Sequence, residues 1–184
     1  MSVPSFVPAW AHASSTGTIW DDRGAHTFAE LSDRADRVAR GLLAALGLCD
    51  LGEARVAYWL PPSIDHVAVQ WGIWRSGGVT VPLCISHPLP ELEYTIRDSG
   101  AQIVVHDPSR FAENAAQLSS RLTGVRFVSV EDLRRRSSEG AWPLPVIERQ
   151  RRAQVLYTSG TTGKPKDRKS TRLNSSHVSE SRMP

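Results

Sequence analysis

Between residues 55 and 158, short runs rich in β-branched and aromatic residues alternate with stretches whose apolar residues recur at helical spacing, and few folds accommodate that alternation. The runs at 55–60, 79–83, 102–106, 125–130 and 153–158 predict strands. Between them, the spacing predicts helices over 63–76, stopped by Gly77-Gly78, over 89–98, opened by Pro88, and around Phe111, Ala115, Leu118 and Leu122. Ahead of the first strand, Thr27 and Glu30 form a capping-box pattern, and Phe28, Leu31, Ala35, Val38, Ala39, Leu42 and Leu46 continue it as a helix closed by Gly47. Strands separated by helices read as βαβ units, so the expectation is an α/β domain with a parallel sheet and helices on both faces. At 184 residues, 40% hydrophobic and 22% charged, the chain has one ordinary domain's worth of core and none of the composition of a disordered or fibrous protein.

The last expected strand runs into Ser159-Gly160-Thr161-Thr162-Gly163-Lys164-Pro165-Lys166. Glycines let backbone N–H groups approach phosphate oxygens, hydroxyls donate further hydrogen bonds, and ammonium groups neutralise charge, so this segment suits a polyphosphate. Its glycines stand three apart and Pro165 follows Lys164, which excludes the Walker A pattern opening a helix. A plain polar turn would explain the small residues but not the lysines, the only two within residues 1–166 beside sixteen arginines.

The string Tyr157-Thr158-Ser159-Gly160-Thr161-Thr162-Gly163-Lys164-Pro165-Lys166 resembles, position by position, the signature of the adenylate-forming (AMP-binding) superfamily: acyl-CoA synthetases, peptide-synthetase adenylation domains and firefly luciferase. The resemblance extends more softly through residues 70–83 and 87–99, where the wording is closest to malonate-activating and short- to medium-chain fatty acid-activating members. It implies a ligase that activates a carboxylic acid as acyl-AMP with ATP and transfers it to coenzyme A, with Mg2+ brought by the nucleotide. It also implies that Thr158, Ser159, Gly160, Thr161, Thr162, Gly163, Lys164 and Lys166 hold the ATP phosphates. Two alternatives stay open: a peptide-synthetase adenylation domain and a stand-alone nucleotide-binding module.

After Lys166 the resemblance stops. Residues 167–177 and 181–184 read, in order, like a translated sequencing-library adapter, so the expectation is a partial AMP-binding domain over 1–166 followed by a non-native, disordered tail over 167–184. The family's downstream parts, its aromatic-Gly-x-Thr-Glu segment, ribose-binding Asp, hinge and C-terminal lysine, have no counterpart, so no catalytic residue and no activity are expected of the 184 residues themselves.

Charge and cysteines exclude other classes. The net charge of +3 rests largely on residues 167–184, which hold four basic against two acidic side chains; residues 1–166 hold 18 against 17 and offer no nucleic-acid footprint. The uncharged run over 76–90 is broken by prolines and glycines, so no membrane span is expected there, and residues 1–15, broken by Pro4 and Pro8, lack a signal-peptide pattern. Cys49 and Cys84 have no metal-ligand spacing, and Cys84 is expected as a small buried hydrophobe; together these place the chain in the cytoplasm, with no metal site and no protein partner implied. Trp59, Trp71 and Trp74 are expected in the core. His66, His87 and His106 are expected to be structural, Arg134-Arg135-Arg136 an exposed helix end, and Arg149, Arg151 and Arg152 a solvated connector.

Overall fold

The computed structural model describes residues 17–138, 142–148, 150–158, 166–167 and 171–172, the last four and Thr158 by their backbone. Two strands absent from the sequence reading come first. β1 (Thr18–Asp21) and β2 (Gly24–Thr27) form an antiparallel hairpin. Helix α1 (Phe28–Leu46) then begins at the expected box: Glu30 N–H donates to Thr27 Oγ1 at 3.1 Å, and Thr27 N–H donates to Glu30 Oε2 at 2.7 Å. Gly47, at φ 66°, ends it in the left-handed conformation.

The alternating part follows as β3 (Arg55–Trp59), α2 (Ile64–Arg75), β4 (Val79–Pro82), α3 (Leu89–Ser99), β5 (Ile103–His106), α4 (Pro108–Arg121), β6 (Arg126–Ser129) and the short α5 (Val130–Arg136). β7 (Arg152–Gln154), β8 (Tyr157–Thr158), β9 (Lys166–Asp167) and β10 (Thr171–Arg172) complete the order. Five strands run parallel in the order β7-β4-β3-β5-β6, and β10 adds antiparallel to the β7 edge. The parallel α/β expectation therefore holds.

Alternation along β3 divides the core. Val56 and Tyr58 face Val38, Leu42 and Leu43 of α1, Val69 and Ile73 of α2 and Leu133 of α5. Ala57 and Trp59 face Leu92 and Ile96 of α3 and Leu118 of α4, with Trp59 stacked on Phe111 at 4.0 Å between ring centroids. Each such fully buried Leu, Ile or Val contributes about 1.5–3 kcal/mol. Helices therefore cover both faces. Trp59 and Trp71 are buried and Trp74 is partly so, as expected of core residues.

Gly41 and Gly72 allow the helices their close approach. A Cβ at Gly41 would fall 2.1 Å from the Leu133 carbonyl oxygen, and one at Gly72 would fall 2.6 Å from Val38 Cγ1. Ion pairs join the same elements. The buried Asp65 carboxylate of α2 accepts from Arg23 of the β1–β2 turn at 2.7 Å, from Arg34 of α1 at 2.9 Å and from Arg134 of α5. Arg75, itself buried, donates to Asp36 at 2.6 Å and to the Ser32 carbonyl at 2.8 Å. The polar face of α1 is thus partly an interhelix contact, and Arg134 is no free helix-end charge; Arg135, paired with Asp132 three residues back, is the exposed one.

Cys84 departs from expectation. It is exposed, as are Cys49 and Ile85, because β4 ends at Pro82 and residues 84–86 turn outward. Hydrogen bonding to the Ser86 hydroxyl, 3.2 Å away, draws its thiol below the ordinary value. Between α5 and β7, Trp142 and Leu144 pack against the α1 side of the core. Among the described residues no helix is long and apolar enough to cross a membrane.

Candidate nucleotide-binding loop

The expected strand over 153–158 is two strands. Val155 N–H still donates to the Thr80 carbonyl at 2.9 Å, but Tyr157 and Thr158 leave the main sheet to pair antiparallel with Asp167 and Lys166. The split follows from where the hydrogen-bonding partners lie: β4 offers its edge to β7, and β9 offers its edge to β8.

Pairing of Thr158 with Lys166 closes the phosphate-binding candidate at its base. Of the residues expected to contact phosphate, the backbones of Thr158 and Lys166 are brought directly opposite one another. Ser159, Gly160, Thr161, Thr162, Gly163 and Lys164, with Pro165, lie outside the described residues.

The strand entering the loop is tied down by side chains from four directions. Arg151 makes a two-pronged contact with Asp50, 2.7 Å on each arm, across 101 residues. Arg152 donates its guanidinium to Glu53 Oε2 at 2.7 and 3.0 Å, and its own N–H to Glu53 Oε1 at 2.7 Å. Trp74 Nε1 and Thr80 Oγ1 both donate to the Ala153 carbonyl, at 2.7 and 3.0 Å. Tyr157 donates its hydroxyl to Asp98 Oδ2 at 2.7 Å. Arg151 and Arg152 therefore brace the loop strand where a solvated connector was expected; Arg149 lies outside the described residues. A cavity of about 130 Å³ opens beside this strand, lined by Arg55, Val79, Asp98, Arg152, Val155 and Tyr157 among others.

Charge pairing sets the acid response. The Arg151 guanidinium holds Asp50 below the usual carboxylate range, and Arg152 does the same for Glu53. For Asp65, burial pushes the carboxyl up, but Arg134, Arg23 and Arg34 together outweigh it and the net direction is down. Asp21 is lowered first by the Ile64 N–H, which seats the β1–β2 hairpin on the start of α2, and then by His26 within the hairpin. Groups depressed in the folded state contribute stability that is complete above their unfolded values, near pH 4, and is lost as pH falls through the folded ones. Urea midpoints should therefore hold from pH 7 to about pH 5 and drop steeply by about pH 3; a midpoint unchanged at pH 3 would contradict these assignments.

The histidines take structural positions. His66 Nδ1 lies 3.1 Å from the Leu60 carbonyl with its ring against Tyr58, and burial lowers the His106 imidazole. His87 Nδ1 lies 3.5 Å from Glu91 Oε2, an i,i+4 contact on an exposed surface that the spacing alone could have suggested.

With this geometry, likeness to known proteins becomes informative. The AMP-binding enzyme family matches residues 9–167. The mitochondrial malonate–CoA ligase ACSF3 of Mus musculus is 37% identical over 178 residues, covering 94% of this chain and 30% of the relative. Surfactin synthase subunit 1 of Bacillus subtilis (strain 168) is 33% identical over 141 residues, covering 76% of this chain and 4% of the relative. ATP-bound MatB from Rhodopseudomonas palustris superposes with a TM-score of 0.63 at 32% identity, over 79% of this chain and 30% of that one. The chain spans about a third of the length of the malonate–CoA ligases it matches. A parallel sheet whose last strands lead into the Tyr157–Lys166 string, in a chain that one family model matches over residues 9–167, leaves one assignment: the chain belongs to the AMP-binding enzyme family.

Proposed function

We propose that this chain is the nucleotide-gripping part of an ATP-dependent acyl-CoA synthetase acting on a malonate-like or fatty carboxylic acid. The observation that carries the reading is the Tyr157–Lys166 string, whose first and last residues pair in β8 and β9. Coenzyme A ligation is supported by the malonate–CoA ligases of mouse, frog, human and cattle, each aligned with 94% of the chain at 30–37% identity. ATP as the nucleotide is supported by the bound ligand of MatB.

In the reaction, a carboxylate oxygen attacks the α-phosphate of ATP, the bond to the β-phosphate breaks, and acyl-AMP and pyrophosphate result. The thiol of coenzyme A then displaces AMP. Charge develops on the departing pyrophosphate, so donors already aimed at the β- and γ-phosphates stabilise the transition state without reorganising. Ser159, Thr161, Thr162 and Lys164, with the N–H groups of Gly160 and Gly163, are suited to that role, and Thr158 and Lys166 flank them at the hairpin's base. Mg2+ accompanies the nucleotide. No residue of this chain is assigned to proton transfer or to the attacking group.

ATP–pyrophosphate exchange tests the proposal, measured on the longest genomic reading frame that contains this segment. Exchange stimulated by malonate or a fatty acid, followed by thioester formation with coenzyme A, is the expected result. Stimulation by an amino acid without transfer to coenzyme A would instead establish a peptide-synthetase adenylation domain, the reading favoured by the surfactin synthase match. Absence of exchange with any acid, alongside retained ATP binding, would leave a nucleotide-binding module.

The origin of residues 167–184 is a separate proposal. Their order of residues supports a translated adapter, and the pairings of Asp167 with Tyr157 and of Thr171 with Gln154 involve backbone groups that any sequence possesses. Resequencing genomic DNA across codon 167 should reveal a different continuation; the same codons in clean DNA would refute it. Two exposed thiols, Cys49 and Cys84, fit a reducing compartment, and we assign the cytoplasm, with mitochondria the competing outcome of a fractionation given the mitochondrial relatives.

A further inference from the structure

We propose that Trp74 and Thr80 are positioning residues for the phosphate-binding loop, setting the height and tilt of the strand that delivers it. The inference rests on the polyphosphate reading of residues 158–166. β7 is three residues long and meets β4 at the pairing Thr80↔Gln154, continued by the Val155 N–H bond to the Thr80 carbonyl. So short a ladder to β4, with β10 only on the outer edge, leaves the strand's tilt against α2 weakly determined by backbone pairing. The Ala153 carbonyl is where side chains make up the difference, because the Trp74 indole N–H and the Thr80 hydroxyl converge on it at 2.7 and 3.0 Å.

Both donors flank one stiff turn. Ser76 caps α2, its hydroxyl donating to the Gly72 and Ile73 carbonyls at 2.9 Å, and Gly78 N–H donates to the Ile73 carbonyl at 2.8 Å. Gly77 adopts φ +85°, and a Cβ there would lie 2.0 Å from Asp50 Oδ1, the oxygen that accepts Arg151 Nη1. The donors on either side of the α2–β4 turn therefore hold the loop strand at Ala153, while Asp50, lying against Gly77, holds Arg151 just ahead of β7. Thr80 is fully buried and Ala153 nearly so, which shields the shared carbonyl from competing water.

A loop that holds phosphate oxygens through several directed donors loses much of its hold when its entry strand shifts by about 1 Å. Substituting Trp74→Phe together with Thr80→Val keeps ring and branch while deleting both donors. In the full-length reading frame, the double variant should raise the KM for MgATP about tenfold, leave the KM for the carboxylic acid unchanged and lower the melting temperature by only a few degrees. Lys164→Ala is assayed in parallel. If Lys164→Ala raises the ATP KM while the double variant melts lower with an unchanged ATP KM, Trp74 and Thr80 are merely structural and the inference is overturned. If Lys164→Ala has no effect either, the polyphosphate reading itself fails and the inference falls with it. Should the double variant not fold, Trp74→Phe alone carries the same prediction at about threefold, and an unchanged ATP KM there overturns it.

Discussion

Replacing Lys164 with alanine is expected to lower ATP–pyrophosphate exchange by about 10²–10³-fold, the scale set by deleting one preorganised donor at a site of developing charge. Lys164 follows Gly163 within the loop, and its compact ammonium can meet phosphate oxygens from many directions. Sixteen arginines against two lysines over residues 1–166 indicate that this chain uses guanidinium for its structural pairs. Arg23, Arg34, Arg75, Arg134, Arg151 and Arg152 all make such pairs. Lys164→Arg should accordingly recover only part of the lost rate, because a rigid fork does not reproduce a point charge. Lys166→Ala, at the hairpin's base, should cost about tenfold. Exchange at the parental rate in both alanine variants would remove the loop from the mechanism.

Asp65→Asn should destabilise the fold by about 3 kcal/mol, because it removes the charge that three guanidinium groups share. For a chain of this length that corresponds to a melting temperature lower by roughly 6–12 °C. The side chain of Asp65 is 5% exposed, and its partners come from the β1–β2 turn, α1 and α5, so the loss loosens three elements at once. Arg135→Ala is the contrast. Its contact with Asp132 is an exposed i,i+3 pair with the arginine 71% exposed, and its removal should change stability by less than about 0.5 kcal/mol. Equal effects from the two substitutions would mean that the Asp65 cluster is not a tertiary clamp.

The contrast between Arg134 and Arg135 shows what a sequence can and cannot display. Helix limits were legible because their causes are local: Thr27 and Gly47 bound α1, Ser63 and Ser76 bound α2, and Pro88 and Gly100 bound α3, each within a turn of the helix it caps. The parallel sheet was legible because burial on both faces demands short apolar strands separated by helices. Arg134 was not, since its carboxylate partner lies 69 residues away while a nearer acid, Asp132, suggests a local pair. The β1–β2 hairpin is illegible for a similar reason, as Asp21 joins it to Ile64 across 43 residues. For Cys84 the apolar neighbours suggest burial, yet the chain turns outward after the buried Leu83. The family was legible from the Tyr157–Lys166 string, whereas the bracing of the strand that leads into it by Asp50, Glu53, Trp74, Thr80 and Asp98 depends on contacts that only folding creates.

Equilibrium titration with nucleotides tests the grip on the triphosphate most directly. In the full-length reading frame, Lys164→Ala combined with Lys166→Ala should weaken ATP and pyrophosphate by at least about tenfold while leaving AMP within about twofold, because the lysines are assigned to the phosphates that depart. Equal weakening of all three ligands, or of none, would contradict that assignment.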